Sequence, residues 1–133
     1  EEGLSQEEML MRARRAEIYI SSVNAIAETG EIINIDGNCN RVSEIMYGHE
    51  KVYLIAGENK IAPDYGAAMH RARNIAAPLN AGRLNRKTPC AIKGDKCYDC
   101  NSPERICRGV SVLMRSPSRD KYEVILVHER LGF

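Results

Sequence analysis

Tryptophan is missing from this chain, and phenylalanine occurs once in 133 residues. With so few large aromatic faces, the base-stacking platforms of a single-strand nucleic-acid binder are not evident. Charge of one sign is lacking too: 19 Lys and Arg against 18 Asp and Glu leave a net charge of +1. No global basic field exists to draw in nucleic acid or an anionic membrane. Long apolar runs are absent, and the few short ones fall far below the roughly 20 residues needed to cross a bilayer. Neither a signal peptide nor a transit peptide is legible at the start, so the expected setting is the cytoplasm. What is present, 44% hydrophobic and 28% charged residues, is the balance of a folded globular domain rather than of a disordered or collagenous chain. The length suits one domain. Glu1 is no initiator and the first residues read as a helix already under way, so the expectation is a domain truncated at its N-terminus.

Local patterns give an order of elements. Ser5-Gln6-Glu7-Glu8 has the spacing of a capping box and predicts a helix over 5–15. The Ile- and Tyr-rich run 17–23 predicts a strand. Residues 25–35 read as a hairpin turning at Thr29-Gly30. A short helix is expected over 41–47, ended by Gly48, and a second strand over 51–56. Pro63 suits a first helical position. The Ala-rich stretch 64–77 is then the longest predicted helix, interrupted or ended by Pro78. Residues 79–109 show little periodicity. Strands over 110–115 and 122–128, joined through Ser116-Pro117-Ser118, close the chain. This order predicts an α/β fold: a mostly parallel sheet with flanking helices and an antiparallel hairpin.

A structureless stretch of about 30 residues is unusual in a compact domain unless something cross-links it. Cys90, Cys97, Cys100 and Cys107 offer the cross-link, four of five cysteines within eighteen residues. The Cys97-x2-Cys100 step turns two thiolates toward one centre, and the flanking pair can complete a tetrahedral set. Zinc and an iron–sulfur cluster both accept four thiolates, so spacing does not choose between them. Either would supply ordering energy that a small local core lacks. Seven Lys and Arg between Arg83 and Arg108 face three acids, a net +4 that would offset a thiolate centre. Disulfides and four unliganded thiols are the rival readings, the first disfavoured in a reducing compartment. Cys39 stands apart and reads as a small buried residue.

A strip of polar residues marks the expected strand ends, where open α/β sheets bind ligands. Asn24, Thr29, Asp36, Asn40, Arg41, Asn59 and Lys60 are its candidate ligand contacts, with Ser22 and Asn38 beside them. Arg41 and Lys60 can hold a carboxylate or phosphate, Arg41 in a bidentate grip. Asp36 can accept from a ligand hydroxyl or act as a base. The plainer alternative is that Asp36-Gly37-Asn38 is a turn and Asn40 a helix cap. His49, His70 and His128 are scattered and read as structural.

Many short motifs then occur in one order: Ser22-Val23-Asn24-Ala25-Ile26, Thr29-Gly30-Glu31, Asn34-Ile35-Asp36-Gly37, Asn40-Arg41-Val42, Asn59-Lys60-Ile61, Ala76-Ala77-Pro78-Leu79-Asn80, Thr88-Pro89-Cys90, Cys97, Cys100 to Cys107, and Val124-Ile125-Leu126-Val127. Together they resemble the lactate-utilisation (LUD) domain family over nearly the whole chain. The resemblance implies one domain over 1–133 carrying a Cys-rich loop at about 83–109. It implies the fold group of ribose-5-phosphate isomerase, glucosamine-6-phosphate deaminase and the CoA transferases. It also implies a role in lactate or hydroxy-acid oxidation beside iron–sulfur oxidoreductase subunits, with a small organic anion as ligand. Family chains usually carry further N-terminal strands and a Gly-rich loop. Two other functions stay open: an isomerase- or transferase-like enzyme on a phosphorylated or CoA-linked small molecule, and a non-catalytic domain whose metal only orders its loop. A truncated sheet edge further suggests a homo-oligomer.

Overall fold

A computed structural model describes residues 3–133. The chain forms two sheets where the sequence suggested one. The first holds β1 (Ile18–Ser22), β4 (Lys51–Gly57) and β7 (Tyr122–Val127), all parallel, with β4 central. The second has the order β5 (Ile61–Ala62), β2 (Ala25–Ala27), β3 (Ile32–Asp36) and β6 (Gly109–Leu113). In it β2 and β3 form the expected antiparallel hairpin, and β6 pairs antiparallel with β3. The last two strands are therefore not paired with each other across Ser116-Pro117-Ser118: each joins a different sheet.

Alternation along β3 explains the layers. Ile33 and Ile35 face one way, into a core with Ala25, Ala27, Ala68 and Ala72. Ile32 faces the other way, into a core with Val23, Ile45, Val52, Leu54 and Leu113. The second sheet is thus covered on both faces. Helix α2 (Asn40–Met46) contributes Ile45 to the inter-sheet core. Helix α1 (Gln6–Ala13) has the predicted capping box, Ser5 with Glu8, and buries none of its residues.

The Ala-rich helix is interrupted next to Pro78, one of the two expected outcomes, but does not end there. It consists of α3 (Tyr65–Arg71), a π-helical turn Ala72–Ala76 and α4 (Ala77–Arg83). In the π turn the Ala77 N–H donates to Ala72 O, five residues back. The widened turn makes room for the Pro78 ring, which would otherwise crowd the preceding carbonyl. It also inserts one residue into the buried stripe, which runs Ala68, Ala72, Ala76 and then resumes at Ala77, Ala81. Nor does Pro63 start the helix: Asp64 is the cap, its Oδ1 accepting from Ala67 N at 2.8 Å. The stretch after Arg83 is irregular except for α5 (Pro89–Lys93).

Two glycines are required by close approaches. A Cβ on Gly57 would overlap Glu129 O and stand 2.5 Å from Leu131 N. The C-terminal residues can therefore lie directly over the end of β4. A Cβ on Gly109 would overlap the Cys39 sulfur. Cys39 itself is exposed, not buried as expected, and takes a left-handed conformation (φ 60°) just before α2.

Candidate functional site

Strands β1 and β4 are parallel neighbours, so their carboxyl ends lie side by side. Ser22 and Asn24 follow from one, Asn59 and Lys60 from the other. Lys60 is 6% exposed and donates from Nζ to Ser22 Oγ at 2.9 Å. Arg71, on α3, is 9% exposed; it donates to Asn59 O (2.7 Å) and Asn24 O (2.5 Å). Arg41 reaches the same place from α2. Among the described residues, none of these three cations forms an ion pair with an Asp or Glu side chain, and Arg71 Nη1 also reaches Phe133 O at 3.5 Å. Burial pushes Lys60 below its ordinary pKa, and the positive charges of Arg71 and Arg41 push it further down. Burial lowers Arg41 and Arg71 as well.

The bidentate grip expected of Arg41 is not free. Its Nη1 donates to Ser22 O (3.0 Å) and Asn34 Oδ1 (2.6 Å), and its Nη2 to Asn24 Oδ1 (3.0 Å) and Ile35 O (2.9 Å). Four protein acceptors consume the four terminal N–H groups. Arg41 is an electrostatic neighbour of the pocket and a tie between strand ends. The ammonium of Lys60 keeps two N–H donors beyond the one given to Ser22.

A cavity of about 240 Å³ lies over these groups, lined by Ser22, Asn24, Arg41, Lys60, Asn80 and Arg83. Asp36 lines an adjoining cavity of about 200 Å³ with Asn38, Arg41, Asn80 and Arg86. Its carboxylate is already engaged: Oδ2 accepts from Arg41 N (2.9 Å) and Val42 N (3.2 Å), capping α2. Asn40 is exposed at the first residue of that helix, and its backbone oxygen accepts from Ser43. Thr29 sits exposed in the hairpin turn, bonded to Glu31, and lines neither cavity. Asn59 uses its side chain to hold the C-terminal residues, accepting from Leu131 N (3.0 Å) and donating to Gly132 O (3.2 Å).

His49 has the structural place expected of it. Its ring is buried, stacks on Tyr19 at 4.9 Å, and bonds Ala16 O and Glu44 through its two nitrogens. Arg71 and Asn34 were not foreseen. Asn34 carried a signal: it is a polar residue inside an apolar strand run, 1% exposed, and such a residue must have a partner. Arg71 gave none, because basic residues near a helix end are usually solvated.

The four clustered cysteines line one small cavity of about 20 Å³, together with Thr88, Arg73 and Arg105. Each is carried by a defined local structure. Buried Thr88 caps α5 through Ala91 N, Pro89 opens that helix, and the Cys90 sulfur lies 3.3 Å from Thr88 Oγ1. The Cys97 N–H donates to Asn74 Oδ1 in the π turn (3.2 Å). Sulfur acceptors are well supplied. Asp99 N donates to Cys97 Sγ (3.4 Å), Arg105 Nη2 to Cys107 Sγ (3.4 Å), and Arg73 Nη2 lies 3.9 Å from Cys97 Sγ. Arg105 Nε is buried and has no partner among the described residues. All five cysteines are free of disulfides. Among the described residues, no three His, Cys, Asp or Glu side chains close around a point as the ligands of one ion do. A metal centre would therefore draw the sulfurs inward from the cavity wall. The donor set itself fits such a centre: four thiols, N–H groups aimed at sulfur, and a cationic surround.

No helix among the described residues is long and apolar enough to cross a membrane. The chain is an α/β domain in which the parallel strands β1 and β4 end side by side. The LUD-domain sequence profile matches residues 1–127, and the chain belongs to the LUD domain family, that of the lactate-utilisation proteins. Comparison with curated proteins returned no match, and comparison with solved structures returned none either.

Proposed function

We propose that this domain binds a small organic anion of the hydroxy-acid type, lactate among them, at the end of β1 and β4. The cation cluster of Lys60, Arg71 and Arg41, unpaired with Asp or Glu side chains among the described residues, carries this reading. Desolvating a cation without a partner costs several kcal/mol, and a bound carboxylate offsets that cost. Lys60 is the direct contact. Asn80 and Arg83 line the same cavity and are placed to meet the ligand's hydroxyl and outer oxygens. Asp36 acts by holding α2, and with it Arg41, in place.

Cys90, Cys97, Cys100 and Cys107 are the proposed ligands of a metal centre, zinc or iron–sulfur. Zinc would contribute only order to the loop; a cluster would add one-electron transfer. The unpartnered Arg105 Nε and the N–H donors to Cys97 and Cys107 support a thiolate centre of either kind. In the cluster case the domain serves hydroxy-acid oxidation beside partner oxidoreductase subunits. The outward face of the parallel sheet, where Ile18, Ile20 and Ile125 are exposed, offers those subunits, or a second copy, an apolar surface.

Calorimetric titration of the protein with lactate and, separately, with inorganic phosphate tests the anion site. Saturable lactate binding that Lys60→Met abolishes is the expected result. Heat of dilution alone for lactate would remove the proposal, and phosphate binding without lactate binding would favour the reading as an enzyme of phosphorylated substrates.

A further inference from the structure

A second cleft adjoins the cysteine cavity and shares Arg73, Cys97, Arg105 and Cys107 with it. Its volume is about 400 Å³, within the roughly 300–1,000 Å³ of small-molecule sites. Ile35, Met69 and Val110 form an apolar floor, and Val110 is 54% exposed there. Ile35 and Val110 are register partners of β3 and β6, so their side chains leave one face of the sheet together. Arg73, Arg105 and Arg108 stand around this floor. None of these residues lines the pocket of Lys60.

The three guanidinium groups are not equivalent. Arg73 is drawn to Asp99 (2.8 Å) and to the Cys97 sulfur, and Arg105 spends both terminal nitrogens on Cys100 O and Cys107 Sγ. Both answer the cysteine loop. Arg108 lines the cleft but not the cysteine cavity. Among the described residues its side chain makes one hydrogen bond, from Nη2 to Pro103 O (2.9 Å), and none to a cysteine sulfur. Its remaining donors have no assignment in holding the loop. A cation with spare donors beside an exposed valine and a methionine is a recognition surface for a group that is anionic at one end and apolar at the other.

We propose that this cleft binds a medium-sized organic carboxylate, its carboxylate on Arg108 and its apolar body over Met69 and Val110. This ligand is distinct in size and place from the hydroxy acid of the strand-end pocket. Cys97 and Cys107 wall both the cleft and the cysteine cavity. The bound carboxylate therefore lies against two of the four thiols, where its presence alters their solvent access.

Hexanoate is the probe, with acetate as its short control, titrated into the protein as isolated with its metal content retained. Calorimetry gives the affinity, and the methyl resonance of Met69 in protein labelled at the methionine methyls gives the place. Hexanoate is expected to bind saturably, at least tenfold more tightly than acetate, and to shift the Met69 methyl. Arg108→Gln, at an exposed position, is expected to weaken hexanoate at least tenfold while leaving lactate binding intact. Lys60→Met is expected to leave hexanoate binding intact. Hexanoate binding that is undetectable or indifferent to Arg108→Gln would overturn the cleft without bearing on the lactate site, and hexanoate binding lost in Lys60→Met would overturn it by assigning hexanoate to the strand-end pocket.

Discussion

Replacing Lys60 by methionine should make the protein more stable and blind to its anion at once. The side chain is 6% exposed, makes one hydrogen bond, to Ser22 Oγ, and has no carboxylate partner among the described residues. An ammonium in such a place carries a desolvation cost of several kcal/mol. The charged hydrogen bond to Ser22 returns about 1.5–3 kcal/mol of it. Methionine keeps the stem and removes the charge; Ser22 is exposed, so water takes over its hydroxyl. The net gain is about 1–2 kcal/mol, a rise in Tm of roughly 3–8 °C for a domain of this size. The gain also depends on pH. The folded-state pKa of Lys60 is lowered from the ordinary lysine value of 10.5, so the unfolded chain binds more protons between the two values. Wild-type stability accordingly rises with pH across that interval. The advantage of the variant is full at neutral pH and fades as pH climbs through the depressed pKa toward 10.5. Thermal denaturation followed by circular dichroism, with and without lactate, reads both effects. At a hundredfold excess over Kd, lactate stabilises the wild type by about 2.7 kcal/mol and leaves the variant unmoved. A variant that melts lower than wild type, yet is still stabilised by lactate, would refute the argument.

Other expectations follow from the same geometry. Lactate affinity should fall as pH rises through the lowered pKa of Lys60, because the anion loses its cation; titrations across alkaline pH check this. Asp36→Ala leaves two N–H groups of α2 uncapped and should cost about 1–2 kcal/mol, seen in a urea midpoint, with weaker lactate binding as Arg41 shifts. Gly57→Ala forces the C-terminal segment off β4 and should cost about 1–3 kcal/mol, measured by denaturation. Ala72→Leu thickens the helix face against β2 and β3 and should cost a similar amount.

Much of the fold was legible because local signals and tertiary packing agree. The capping box of α1, the Thr29-Gly30 turn and the strands β1, β3 and β4 lie where the pattern put them. The division into two sheets was not legible. Strand pairing across long intervals depends on packing that periodicity does not encode, and β6 and β7 look like hairpin partners while serving different sheets. Pro78 signalled an interruption but not its form, a π turn that no residue preference announces. In the candidate site, Lys60 and Asn24 were visible as polar residues after strands. What each side chain bonds was not visible: Arg41 spends its terminal donors on the fold, Asp36 caps a helix, and Arg71 arrives from a distant helix. The cysteines were the reverse case. Their spacing suggested a shared centre; the fold sets all four along one small cavity but does not close three of them around a point.

The proposed metal centre is tested most directly by elemental analysis of anaerobically purified protein, together with mass-spectrometric counting of thiols open to alkylation in the native state. The account predicts a stoichiometric centre, either one zinc or iron with matching acid-labile sulfide. It further predicts that Cys39 alone reacts, while Cys90, Cys97, Cys100 and Cys107 are protected until the metal is stripped. Protein free of zinc and iron, with the four cysteines reacting as readily as Cys39, would contradict it.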